Sequence, residues 1–242
     1  MTSPADAPKP ERALVVTAHP DDVDFGAGGT IAQWTRSGIE VTYCIITDGD
    51  AGGFDPATPR SEIPRIRRAE QIAAAAVLGV SDVRYLGYRD GYLTASQDVR
   101  RDISRVIRQV RPERMLIQSP ERNWERIPAS HPDHLAAGEA AIFAIYPDAR
   151  NPFAHTTLLD DEGLEAWTVH DVWVMGAPTS NTYVDVSAEI DLKLAAILEH
   201  HSQVANHAEM TERVRGWLTT IAQEGGLEDG TYAECFNVVH IF

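Results

Sequence analysis

The chain has 242 residues, with 21 Lys and Arg against 36 Asp and Glu, a formal charge of −15. Its 43% hydrophobic and 24% charged residues supply enough apolar mass for a core, which excludes disorder for the bulk of the chain. The negative balance argues against a non-specific nucleic-acid binder, which needs basic surface to neutralise phosphates.

Residues 1–12 hold three prolines and little apolar content, and are expected to be a flexible leader before a single domain, 13–242. Residues 13–18 form a continuous apolar run, as in a strand covered on both faces. A helix is predicted over 30–37, stopped by Gly38, and a second strand over 41–47. A helix over 65–78 ends at Gly79, a strand covers 83–86, and a helix over 98–110 stops at Arg111-Pro112. Residues 114–118 form another strand and 134–145 another helix. Residues 147–170 show weak periodicity, which points to a functional segment or a missed element. Strands at 172–175, 183–186 and 236–242, with helices at 188–200 and 208–222, complete the chain. Alternating strands and helices imply an α/β fold with a mostly parallel central sheet. Cys44 and Cys235 lie in apolar stretches and read as buried free thiols. The apolar run 72–80 is shorter than the roughly 20 residues of a membrane span. Without a signal-peptide pattern, a cytoplasmic setting is expected.

Two motifs carry chemistry. His19-Pro20-Asp21-Asp22 directly follows the first strand, and ligands in open α/β sheets bind beyond the carboxyl ends of strands. A turn or helix cap explains such a pair of acids when it stands alone. His131-Pro132-Asp133-His134 follows the strand at 114–118. Ser130 and Asp133 have the spacing of a capping box, Pro132 suits a first helical turn, and His131 and His134 share a helix face. Together the motifs supply what a zinc hydrolase needs: three N/O ligands, an open position for water and a carboxylate base. His19, one of Asp21 and Asp22, and one of His131 and His134 would ligate the ion. The glycines Gly26, Gly28 and Gly29 allow an alternative, a nucleotide-dependent transferase or oxidoreductase with a phosphate-cradling turn at 26–29. Their G-x-G-G spacing departs from the dinucleotide fingerprint, and close helix–strand packing explains them equally well. A non-enzymatic metal-binding protein is a third reading.

The run AHPDDVDFGAGGTIA, followed by TDGDAGG (47–53), Arg67 and Glu70, LGYRDGYL (86–93) and HPDH, resembles the PIG-L or LmbE-like de-N-acetylases. The resemblance extends to Ser202-Gln203. It implies a Rossmann-like three-layer fold and a catalytic Zn2+, with another divalent metal such as Fe2+ as an option. It implies removal of an N-acetyl or other N-acyl group from an amino sugar or GlcNAc-type conjugate. By motif position, His19, Asp22 and His134 become metal ligands, Asp21 the general base, and His131 the charge stabiliser or acid. Arg67 and Asp90 match substrate-site positions. Val23 stands where many members carry Glu, and Ala129 and Ser130 stand where mycothiol-pathway members carry a tyrosine. The expected partner is a small acylated amine, with no nucleic acid and no membrane span. Homo-oligomer formation is left open.

Overall fold

A computed structural model describes residues 9–241. Residues 1–8 of the expected leader lie outside the described residues; residues 9–11 form no helix or strand, and Arg12 already belongs to the first strand.

The strands are β1 (Arg12–Thr17), β2 (Glu40–Thr47), β3 (Asp82–Tyr88), β4 (Arg114–Gln118), β5 (Asp171–Met175), β6 (Thr182–Asp185) and β7 (Ala233–His240). They form one sheet in the order β3-β2-β1-β4-β5-β7-β6. β1 to β5 pair in parallel, and β7 runs antiparallel to both β5 and β6. Alternate residues of β1 serve opposite faces, as a strand period of two requires. Ala13 and Val15 join one core cluster with Val23 and Ile31 of helix α1 (Asp22–Arg36) and Ala74 and Ala75 of α2 (Ile63–Val77). Leu14 and Val16 join another with Ile103 and Ile107 of α3 (Gln97–Val110) and Ala137 and Ala141 of α4 (Pro132–Phe143). This is the expected three-layer α/β arrangement. A third cluster joins α6 (Ile190–Leu198) to α7 (His207–Glu224), beside β6 and β7.

The chain runs outward from β1 to β2 and β3, then crosses back to β4 on the other side of β1. Strand order reverses between β1 and β4, and such switch points open a crevice at the carboxyl ends of the strands. Val16 pairs with Ile117, so the segments leaving β1 and β4 start level with each other. The two histidine motifs occupy those two segments.

The structure corrects several sequence expectations. Helix α1 starts at Asp22, not at residue 30, so the glycine-rich stretch at 26–29 is helix interior. A Cβ on Gly26 would stand 2.5 Å from Met175 Sδ, and one on Gly29 2.6 Å from Val186 Cβ. These glycines let α1 lie against its neighbours, which removes the turn that a phosphate cradle would need. Segment 147–170 holds a short helix, α5 (Thr157–Asp160), and is tied down by Arg108. That guanidinium donates to the carbonyls of Asp148, Ala149, Asn151 and Ala154, and Trp167 donates to Pro112 just before β4. The segment is thus anchored at the amino end of β4, away from the histidine motifs. Cys44 is buried, and burial pushes its thiol up to about 12; Cys235 is only half-buried. Among the described residues no helix is long and apolar enough to cross a membrane.

Candidate metal centre

His19 leaves the end of β1, and its backbone N–H donates to Asp22 Oδ2 at 2.7 Å. The Asp22 side chain caps the turn and stays beside the His19 ring. His19 Nδ1 lies 3.4 Å from Asp22 Oδ2 and 3.2 Å from His134 Nε2. His134 Nε2 lies 3.0 Å from Asp22 Oδ1. Zinc ligands about 2.0–2.2 Å from their ion in a tetrahedron stand about 3.3–3.6 Å apart. Two imidazole nitrogens and the two oxygens of one carboxylate thus lie 3.0–3.4 Å apart, at or slightly inside the spacing of one face of such a site.

Two other groups share His19 among the described residues: His19 with His131 and His134, and His19 with Asp90 and Asp133. In the second group both carboxylates face the opposite ring nitrogen. Asp133 Oδ2 and Asp90 Oδ1 each lie 3.2 Å from His19 Nε2. Asp133 also accepts the N–H groups of Gly91 and Leu93, and Asp90 that of Ala51. Two carboxylate acceptors suit a proton on Nε2, so an ion at Nδ1 would displace only the second ring proton, the arrangement of carboxylates behind ligating histidines. In the first group, His131 Nδ1 accepts the Asp133 N–H at 3.2 Å and caps α4. That bond fixes the neutral tautomer with its proton on Nε2, so His131 is suited to donate rather than to ligate.

The capping box expected at Ser130 and Asp133 is absent. Ser130 Oγ instead accepts the Asn123 N–H at 2.7 Å, and the Asp133 carboxylate is turned to His19. Pro132 does stand in the first turn of α4, and the His131 and His134 ring centres are 5.2 Å apart.

The electrostatics favour a cation. Burial alone would lower the His19 pKa, but Asp22, Asp133 and Asp90 outweigh it and push it up to about 12. Burial opposes ionised Asp22 as well; His134 and His19 overcome that and hold the carboxyl well below its ordinary value. Burial pushes Asp21 up to about 6, with Arg67 opposing and Asp22 reinforcing the shift. Loss of water and the charges on His19 and His134 hold His131 below its usual value.

Arg67 is buried and does not pair with Glu62 or Glu70, the surface pairing its helix position allows. It donates to the carbonyls of Pro20 and Gly49 and to Asp21 Oδ2 at 3.1 Å. A Cβ at Gly49 or Gly52 would meet the Arg67 guanidinium at 2.5 or 2.4 Å, which explains glycine in the TDGDAGG run. Asp90 is buried behind His19 rather than standing at an open rim. The structure thus gathers His19, Asp21, Asp22, His131 and His134 at one point, and adds Arg67 through Asp21 and Asp90 through His19. Gln71, Asp24 and His200 join the same network without having been singled out by sequence, and Asp133, expected there as a capping residue, joins it through His19. Tyr88 is tied to Asp102, while Tyr92 and Trp124 are exposed on the loops after β3 and β4.

The family model described as PIG-L, GlcNAc-PI de-N-acetylase, matches residues 14–145. The chain belongs to this family. It is 34% identical over 229 residues to the diacetylchitobiose deacetylase of Thermococcus kodakarensis, covering 93% of this chain and 81% of the relative. It is 34% identical over 197 residues to a probable N-acetyl-alpha-D-glucosaminyl L-malate deacetylase 2 of Bacillus cereus, covering 78% and 82%. Among solved structures, the N,N'-diacetylchitobiose deacetylase of Pyrococcus horikoshii in complex with its inhibitor MPG superposes with a TM-score of 0.86. Its identity is 30%, with 95% of this chain and 84% of that chain covered. These relatives are de-N-acetylases, hydrolases that act on amide C–N bonds. The 4-carboxy-2-hydroxymuconate hydratase GalB of Pseudomonas putida reaches a TM-score of 0.78 at 23% identity, covering 96% and 97%, and shows the fold alone.

Proposed function

We propose that the chain is a divalent-metal-dependent hydrolase that removes an N-acetyl, or other N-acyl, group from an amino sugar or GlcNAc-type conjugate. The observation that carries the proposal is the meeting of His19 Nδ1 and His134 Nε2, 3.2 Å apart, with the Asp22 carboxylate, whose Oδ2 lies 3.4 Å from the first and Oδ1 3.0 Å from the second, and with Asp21 next to it in the chain. Relatives that act on N-acetylated sugars support the substrate class. Two imidazoles and a carboxylate suit Zn2+, and Fe2+ also uses this donor set. Bound there, either ion polarises a carbonyl and lowers the pKa of a nearby water, to about 7 in the case of zinc.

The protein side chains supply the rest. Asp21 Oδ2 is engaged by Arg67, so Oδ1 is the atom left to take a proton from the attacking water. A pKa of about 6 keeps Asp21 a base at neutral pH and lets it return the proton to the departing nitrogen. His131 Nε2–H donates to the acyl oxygen as negative charge builds there. Asp133 and Asp90 keep His19 in its ligating tautomer, and Arg67 holds Asp21. Water adds to the acyl carbon, the amide C–N bond breaks, and acetate and a free amine leave. All described strands share one sheet, which supports a single domain over 13–242.

The test is acetate release from N-acetylglucosamine, diacetylchitobiose and GlcNAc conjugates, before and after chelation and zinc add-back. Release that stops on chelation and returns with zinc supports the proposal. No release from any of them, or release indifferent to chelation, contradicts it.

A further inference from the structure

Asp21 has a backbone φ of 92° and ψ of −29°. This is the left-handed region, which a residue with a Cβ enters at an energetic cost and keeps only when its surroundings impose it. The peptide unit between Pro20 and Asp21 is gripped at both ends by one helix. Arg67 Nη2 donates to the Pro20 carbonyl at 2.6 Å, and the Asp21 N–H donates to Gln71 Oε1 at 2.7 Å. Arg67 and Gln71 are four residues apart on α2, so they share a face and close on that peptide like a clamp.

The direction of the Gln71 amide is dictated by charge. Gln71 is fully buried, and its Nε2 donates to Asp24 Oδ2 at 2.8 Å. The same carboxylate oxygen lies 2.8 Å from His200 Nε2, and both partners are fully buried. An ionised carboxylate can only accept, so Asp24 draws the NH2 end of Gln71 and leaves the oxygen for Asp21. A flipped amide would set two donors against each other at Asp21.

We propose that Gln71 is a positioning residue for Asp21. With its amide oriented by Asp24 and His200, it holds the left-handed turn from which the Asp21 carboxylate reaches Arg67 beside Asp22. Gln71 touches none of the atoms that would react. Its effect on turnover rests on the proposed activity, whereas its effect on the Asp21 backbone does not.

The near-isosteric Gln71→Met, assayed as the metal-loaded protein, should lower kcat about 10–100-fold with KM changed less than about twofold. Metal content per chain should stay at the wild-type level. A crystal structure of Gln71→Met should show residue 21 outside the positive-φ region. Asp24→Asn meets Gln71 through its side chain and should give the same split between kcat and KM at smaller amplitude; it also stands in if Gln71→Met does not fold. Wild-type kcat in the folded, metal-loaded variants overturns the proposal, as does a fall in kcat matched by loss of metal. If the wild type itself releases no acetate from any sugar tested, the activity assignment fails separately. In that case the crystal structure still decides: Asp21 retained near a φ of 92° without Gln71 overturns the positioning role.

Discussion

Asp133 Oδ2 lies 3.2 Å from His19 Nε2 and accepts the Gly91 N–H at 2.7 Å, in a side chain only 1% exposed. One carboxylate thereby ties the segment after β3 to the imidazole after β1, and sets which nitrogen of His19 is free. Removing such a partner typically costs 10–100-fold in metal affinity. Asp133→Asn should weaken zinc binding by about that factor, read by competition with a chromophoric chelator. Unchanged affinity would show that His19 keeps its tautomer without Asp133.

Lys193 and Glu234 form a pair with side chains 0% and 1% exposed, 2.7 Å apart. Glu234 also accepts the Gly29 and Thr30 N–H groups inside α1, and Lys193 donates to the Asp24 and Phe25 carbonyls. The pair is thus wired into the helix that carries Asp22. Lys193→Met leaves a buried carboxylate without its cation and should cost about 3–5 kcal/mol of stability. Denaturant unfolding measures this, and a loss below about 1 kcal/mol would mean that the helix amides alone satisfy Glu234.

Two glycine replacements should move stability in opposite directions. Gly29→Ala drives a methyl to 2.6 Å from Val186 Cβ and should cost about 1–3 kcal/mol through overpacking. Gly216 lies within α7 with nothing near its missing Cβ. There Gly216→Ala should add about 0.5–1 kcal/mol by restricting the unfolded chain and favouring helix. Thermal unfolding of both variants checks the contrast, and the same sign for both would contradict it.

Asp102 accepts from the Tyr88 hydroxyl at 2.7 Å, from Arg105 at 2.7 Å and from Arg101 at 3.1 Å. Burial alone would raise its pKa, but Tyr88 and the two arginines outweigh it and hold the carboxyl below its ordinary value. A pKa lower folded than unfolded contributes stability that is complete above about pH 3.9 and is lost as pH falls through the folded value. Asp102→Asn should therefore cost about 1 kcal/mol near neutral pH and much less once the pH has fallen below the folded value. Urea titrations at both pH values test the sign; an equal loss at both would contradict it.

Much of the fold is legible in the chain itself. The strand predicted over 114–118 coincides with β4, because a two-sided apolar run between a Pro and a polar loop has one reading. The start of α1 is not legible. Glycine ordinarily weakens helices, and Met175 and Val186, which demand its small size, lie far away in sequence. At the site, His19, Asp22, His131 and His134 stand out because each motif is local and both follow strands. Asp133 is masked by its capping-box spacing, and its partner His19 is 114 residues away. Gln71 and Asp24 look like ordinary helix residues until tertiary contact joins them to Asp21.

The central claim is that His19, Asp22 and His134 hold the ion while Asp21 moves the proton. Metal content and acetate release measured together in the wild type, His134→Ala and Asp21→Asn test it most directly. His134→Ala should purify without metal and without activity. Asp21→Asn should keep the wild-type metal content and lose about 100–10,000-fold in kcat, the range expected for a general base. Full turnover in Asp21→Asn, or wild-type metal retention in His134→Ala, would contradict the assignment.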